Sequence, residues 1–146
     1  MINICIHGHF YQPPRENPWT GEIEKQDSAA PYHDWNERIH HECYKANSEA
    51  EILDDKDDVV AVINNYEQIN FNFGPSLLAW IQHKHPETYR KIIEADKNSI
   101  PQHNGHGNAI AMCYNHMIMP LANLNDKITQ VLWGLADFKH HFGRDS

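Results

Sequence analysis

A chain of 146 residues, 40% hydrophobic and 10% aromatic, holds enough apolar material for one domain or for a piece of a larger one. Its net charge of -8, counted with histidine neutral, argues against nucleic acid and anionic membrane surfaces as partners and fits a neutral or small substrate. Three cysteines (Cys5, Cys43, Cys113) without C-x-x-C spacing argue against a disulfide framework or zinc ribbon, and no run approaches the ~20 apolar residues of a membrane span, so a reduced, cytoplasmic setting is expected.

The N-terminus runs from Met1 directly into a short alternating stretch, without the basic region and long apolar run of a signal peptide. Ile2, Ile4 and Ile6 fall on one face of this expected strand, and Asn3, Cys5, His7 and His9 fall on the other. A loop follows that carries Tyr11, Gln12, Arg15 and Trp19 around Pro13-Pro14. A strand that ends in two histidines on one side needs a polar pocket for them, so this stretch reads as one wall of a binding or active site.

Residues 20–36 are polar and without sustained periodicity, an expected insertion whose Tyr32, His33, Asp34 and Trp35 suggest function. From Glu37 the pattern turns helical, with Ile39, Cys43 and Ala46 on one face. An acidic turn is expected over residues 52–60, then a helix from Val59 to about Tyr66. QINFNFGP then alternates Ile69, Phe71 and Phe73 against Asn70 and Asn72, which predicts a second strand. Pro75 suits the first turn of a helix through Leu77, Leu78 and Ile81, and Pro86 restarts it with Tyr89, Ile92 and Ile93.

NSIPQHNGHGN is an expected polar loop before a third strand, AIAMCYN, which places Ala109, Ala111 and Cys113 on one face and leads to Asn115 and His116. In the last element Ile128, Val131, Leu132, Leu135, Phe138 and Phe142 keep helical spacing, and Gly143 is a suitable stop. Strands alternating with helices predict an α/β fold built from parallel βα units, whose loops after the strand ends carry the site. Three strands cannot close a barrel and would leave bare edges. The chain is therefore expected to be the N-terminal part of a larger α/β domain, or to oligomerise.

The H-x-H pair His7 and His9 would donate hydrogen bonds to hydroxyl groups of a substrate, bind a metal with His103, His106 or His116, or sit satisfied in the fold. The loop set Tyr11, Gln12, Arg15, Trp19, Tyr32 and Trp35 combines aromatic faces with amide and guanidinium donors, as a sugar ring requires, or else simply folds over the core. NGHGN has neither the spacing nor the lysine of a phosphate loop and reads as a solvent loop. Asp34, Glu37, Glu42 and Glu67 lie near the expected mouth, but nothing pairs them as acid and nucleophile, and Asp54, Asp55, Asp57 and Asp58 read as a solvated turn. Cys5 and Cys113 sit in expected strands, a poor setting for a thiolate nucleophile.

HGHFYQPPRENPW, NFNFGP, YNHMIMPL and WGLADFKHHFGRDS together resemble the N-terminal region of glycoside hydrolase family 57, in the branch related to α-amylases and α-mannosidases. His9, Gln12 and Pro13 answer to the first family motif, and the resemblance spans essentially the whole chain. It implies the N-terminal part of an incomplete (β/α)7 barrel, with about three parallel strands, and retaining chemistry on α-glucans by a glutamate nucleophile and an aspartate acid/base roughly 5 Å apart. The family's W-x-P-E nucleophile motif and its aspartate would follow Ser146, so the 146-residue chain is expected to bind sugar without cleaving it.

By resemblance His9 contacts the sugar and His116 lines the pocket; Gln12, Arg15, Trp19 and Trp35 complete the expected substrate-binding set. Many members carry a glutamate on the third strand, where this chain has Ala109 and Ala111. No cofactor is expected on this reading, and the partners are an oligo- or polysaccharide together with the rest of the barrel or a second copy. Two other readings stand beside it. One is a zinc-dependent hydrolase of deacetylase or mannosidase type with His7, His9 and His116 as ligands. The other is a non-catalytic carbohydrate-binding or self-associating module.

Overall fold

The computed structural model describes residues 4–146. In chain order the main elements are β1 (His7–Phe10), a helical run formed by α1 (Trp35–Ile39), a π-turn segment (His40–Lys45) and α2 (Ala46–Ser48), β2 (Ala50–Leu53), β3 (Val59–Ile63), β4 (Asn70–Phe73), α3 (Pro75–Lys84), α4 (Pro86–Ser99) and α5 (Leu124–Phe142). The fold is mixed α/β with a small parallel sheet.

β1 and β4 pair in parallel, with His7 opposite Asn70 and His9 opposite Asn72. The ladder extends at both ends through Asn70 N–H to Ile6 O (3.0 Å) and Gly74 N–H to Phe10 O (2.8 Å). Expected strand residues Ile2 and Asn3 lie outside the described residues, and the strand itself begins at His7. Ile4 is 88% exposed and Ile6 is exposed as well, so the apolar side of the opening stretch reaches the core only at Phe10. The histidine side is open to solvent at His7 and His9 rather than walled in.

The third expected strand is reduced to a single parallel bridge between Phe71 and Ala109, made by Phe71 N–H to Asn108 O and Ile110 N–H to Phe71 O. One bridge nevertheless sets the direction of residues 109–116, so this segment leaves on the same side as the loops after β1 and β4. The alternation in NFNF is kept: Phe71 and Phe73 are buried, and Asn70 and Asn72 face the other way.

Residues 59–63 form a strand, not the expected helix. Val59, Val60, Val62 and Ile63 are β-branched, which stiffens χ1 and favours the pleated conformation. β2 and β3 make an antiparallel hairpin closed by the acidic turn, in which the Asp54 carboxylate accepts from Lys56 and Asp58 N–H. Ile52, Leu53, Val59, Val60 and Val62 are all exposed, so the hairpin covers no core.

The core is aromatic. Phe10 stacks on Phe73 (4.9 Å between centroids) and meets Tyr66 edge-on (5.3 Å), while Tyr66 packs on Phe71 and donates its hydroxyl to Tyr44 O at 3.1 Å. Leu77, Leu78 and Ile81 of α3, Ile92 and Ile93 of α4, and Phe138 and Phe142 of α5 complete it. Pro75 and Pro86 each open a helix, as their fixed φ and missing N–H allow. The π-turn places His40 and Tyr44 inward, with Ile39 and Cys43 partly buried beside them and Ala46 left exposed.

α5 starts at Asn123, whose side chain accepts from Asp126 N–H, and ends at Gly143 with φ +70°. Only part of its apolar stripe is seated. Phe138 and Phe142 are buried, whereas Ile128, Val131, Leu132 and Leu135 are exposed. Residues 20–36 are more ordered than an insertion would be: Glu16 bridges to Ile23, a 3-10 turn covers Asp27–Ala29, and the buried Asp34 caps α1 by accepting from Glu37 N–H at 3.0 Å.

A buried ion pair ties residues 107–109 to both long helices. Asp96 on α4 is 0% exposed and accepts Arg144 Nε (2.9 Å), Arg144 Nη2 (2.8 Å) and Ala109 N–H (2.8 Å). Arg144 Nη2 also donates to Ala109 O at 2.8 Å. A Cβ on Gly107 would run into the Asp96 carboxylate and lie 2.7 Å from Arg144 Nη2, so only glycine admits this approach. The expected solvent loop NGHGN therefore divides: Asn104, Gly105 and His106 are exposed, while Asn108 is buried and donates to the Tyr66 and Glu67 carbonyls.

Candidate functional site

The parallel register brings the polar row of β1 against that of β4 and adds residues from beyond the third segment. His9 Nδ1 lies 2.6 Å from Asn72 Oδ1, and Asn72 Nδ2 lies 3.3 Å from His7 Nε2. On its other side His9 Nε2 lies 2.8 Å from His116 Nε2. Upstream on the same row the Cys5 thiol donates to Asn70 Oδ1 at 3.2 Å. The result is a polar row across two strands and a loop, hydrogen-bonded from His7 through Asn72 and His9 to His116.

Asn72 gives this line a direction. Its carbonyl oxygen accepts, so in neutral rings His9 carries its proton on Nδ1 and its Nε2 is the acceptor for His116 Nε2–H. Its amide donates to His7 Nε2, which leaves the His7 proton on Nδ1. At 2.8 Å the gap between the two facing Nε2 atoms has room for one N–H, so one ring donates and the other accepts.

Two rings overlap at the exposed end: Tyr11 stacks on His116 at 4.1 Å between centroids and 22° between planes, while His9 meets His116 edge to edge, 28° from coplanar, through the facing Nε2 atoms. Gly74 permits this: its Cβ would sit 2.6 Å from Tyr11 Cδ2, so the ring lies directly against the backbone that follows β4. His116 itself has φ +52°, a left-handed conformation that costs a non-glycine residue roughly 1–2 kcal/mol and is common at functional positions.

Of the expected substrate-binding residues, the structure joins His9 and His116 directly, and His7 joins them only through Asn72. Gln12 and Arg15 form a second cluster, in which Arg15 Nη2 donates to Gln12 Oε1 (2.9 Å) and Arg15 Nε to Asn36 Oδ1 (3.2 Å). Burial pushes the adjoining Tyr44 hydroxyl up to about 12, against the pull of a hydrogen bond with Gln12. These two residues bind the loop to the helical run. Trp19 is 89% exposed, and its backbone N–H is held by Asn17. Trp35 donates Nε1–H to Ser28 and lies under the Arg38 guanidinium at 4.9 Å.

The expected mouth carboxylates are engaged elsewhere. Asp34 caps α1 and pairs with His33, Glu37 meets His85, Glu42 meets Arg38, and Glu67 accepts from Asn98. His7, His9 and His116 do not converge as a metal triad. Among the described residues, the group whose ligand atoms come within 4.8 Å of one another is Glu37, His40 and His85.

Of the residues of the polar face, Tyr11 belongs to the loop set that suits a sugar ring, whereas Asn72 is expected from the sequence only as a polar strand residue. Alternation put Asn72 on the correct side of its strand, but its partners come from a strand distant in sequence. The chain matches no family model, no curated protein and no solved structure.

Proposed function

We propose that this chain is the N-terminal, sugar-binding portion of a retaining glycoside hydrolase or glucanotransferase of family 57 type acting on α-glucans. In this reading it supplies the first βα units of an incomplete (β/α)7 barrel. The observation that carries the proposal is the His7–Asn72–His9–His116 line beside the stacked ring of Tyr11. A sugar offers a CH-rich face to stack on and hydroxyls that both donate and accept, and this surface has a flat aromatic face edged by directional donors and acceptors.

His9 and Asn72 lie in the second half of β1 and β4 and Tyr11 directly follows β1, toward the C-terminal ends of the parallel strands, where α/β folds place ligands. Its hydrogen-bonding side chains are imidazoles and carboxamides. A two-carboxylate cleavage needs an acid and a nucleophile roughly 5 Å apart, and among the described residues no carboxylate is hydrogen-bonded to the histidine line. Binding without turnover is the activity this arrangement supports. The exposed apolar side chains of α5, together with Ile4, Ile6 and Ile110, are where further βα units or a second copy would pack.

The test is calorimetric titration with maltooligosaccharides. The wild-type chain should bind in the high micromolar to millimolar range. His116→Ala should weaken binding by tenfold or more, and no reducing ends should be released. Equal binding by the wild type and the variant would overturn the reading, and hydrolysis by the 146-residue chain would overturn the division of labour.

A further inference from the structure

We propose that Glu37, His40 and His85 form a site for a divalent transition-metal ion of the zinc class, separate from the histidine face. Glu37 and His40 make an E-x-x-H pair on one helical run, three residues apart, so their side chains project from the same side. His85 sits between α3 and α4 in a non-helical conformation (φ -132°, ψ 62°), held by its N–H to Ile81 O and fixed ahead of Pro86. One ligand atom from each of the three residues lies within 4.8 Å of the others. His85 Nε2 is 3.0 Å from Glu37 Oε2, and the two imidazoles stack at 3.5 Å between centroids and 13° between planes, so one ring must turn out of the stack to aim its in-plane lone pair at a shared ion.

Two imidazoles and one carboxylate form a donor set that suits Zn2+, Co2+ or Fe2+ rather than Ca2+ or Mg2+. Three protein ligands leave a fourth position for water or an incoming group. His40 is 6% exposed, and its Nε2 lies 3.0 Å from the Thr88 hydroxyl, which fixes its ring as outer partners of metal-binding histidines do. The helix passes into its π-turn at His40, a departure from α geometry that is frequent at functional sites.

A cleft of about 570 Å³ opens onto all three residues, so an ion and its water have access. Lysines in its wall are already paired: Lys45 and Lys91 both reach Glu49, and Lys84 reaches Glu22. Their repulsion of a dication is correspondingly reduced. The site stands independently of the sugar-binding reading.

Co2+ added to the chelator-treated chain tests it, because visible absorption reports nitrogen and oxygen ligation, and competition with Zn2+ then gives the affinity. One equivalent should bind at this site. Glu37→Gln and His85→Gln should each weaken binding tenfold or more, while His9→Ala and His116→Ala leave it unchanged. Glu37 and His85 are both partly exposed, so these near-isosteric changes should keep the fold, which circular dichroism verifies. Absence of a Co2+ spectrum up to millimolar metal, equal affinity in the Glu37 and His85 variants, or loss of binding in His116→Ala would overturn the proposal.

Discussion

Arg144→Ala is expected to be the most damaging single change to a charged side chain in this fold. It removes the fork that holds the fully buried Asp96 carboxylate and frees the Ala109 carbonyl at the same time. Leaving a buried charge without its partner costs about 3–5 kcal/mol. The lower end applies here, because Arg144 is partly open to water and Ala109 N–H still donates to Asp96. With about 2–4 °C of melting temperature per kcal/mol for a chain of this size, a loss of about 3 kcal/mol corresponds to roughly 6–12 °C. Thermal unfolding followed by circular dichroism gives the number directly. Arg144→Lys, which keeps the charge and loses the fork, should fall between wild type and Arg144→Ala. A shift under about 2 °C for Arg144→Ala would refute the claim that this pair holds residues 107–109 against α4 and α5, and with them the segment that delivers His116.

Other outcomes follow from single contacts. Gly74→Ala should displace Tyr11 from His116 and weaken maltooligosaccharide binding severalfold with little change in melting temperature; unchanged affinity would show that the ring stack is not used. Tyr66→Phe deletes the buried hydroxyl bonded to Tyr44 O and should cost about 1 kcal/mol in denaturant unfolding. Replacing Val60 and Val62 by lysine puts charge on the exposed hairpin, whose unpaired edges favour strand-to-strand association, and should lower the mass measured by light scattering at high concentration. An unchanged mass would mean that copies associate elsewhere or not at all.

Part of the architecture, its mixed α/β character and several element ends, was legible because those signals are local. Pro75, Pro86 and Gly143 mark helix ends through fixed φ, a missing N–H or a left-handed turn, and each does so in the structure. The alternation of NFNF read correctly for the same reason: two faces of one strand need no knowledge of the rest of the chain. Residues 59–63 form a strand where a helix is expected, because four of the five are β-branched and the hairpin partner that pairs with them is set by the acidic turn rather than by their own pattern. The stripe on α5 predicts a helix correctly but overstates its burial, since periodicity shows which side is apolar and not whether anything covers it.

The histidine face was half legible. His9 and His116 stood out as residue types, yet the tautomer line depends on Asn72, whose role exists only once β1 and β4 are in register. Gln12 and Arg15 have the chemistry of sugar contacts, but they bond each other and Asn36, which no spacing rule foretells. The Glu37, His40 and His85 group was hidden for a related reason. Its E-x-x-H half is visible in one helical run, and its third member arrives from the junction of two other helices.

The most direct measurement of the central claim is an NMR titration of the 146-residue chain with a maltooligosaccharide, with His9, Tyr11, Asn72 and His116 resonances assigned. Saturable shifts concentrated on these four residues, and abolished in His116→Ala, are the expected result. No saturable shift at millimolar sugar, or shifts confined to other parts of the surface, would contradict a sugar-binding role for this face.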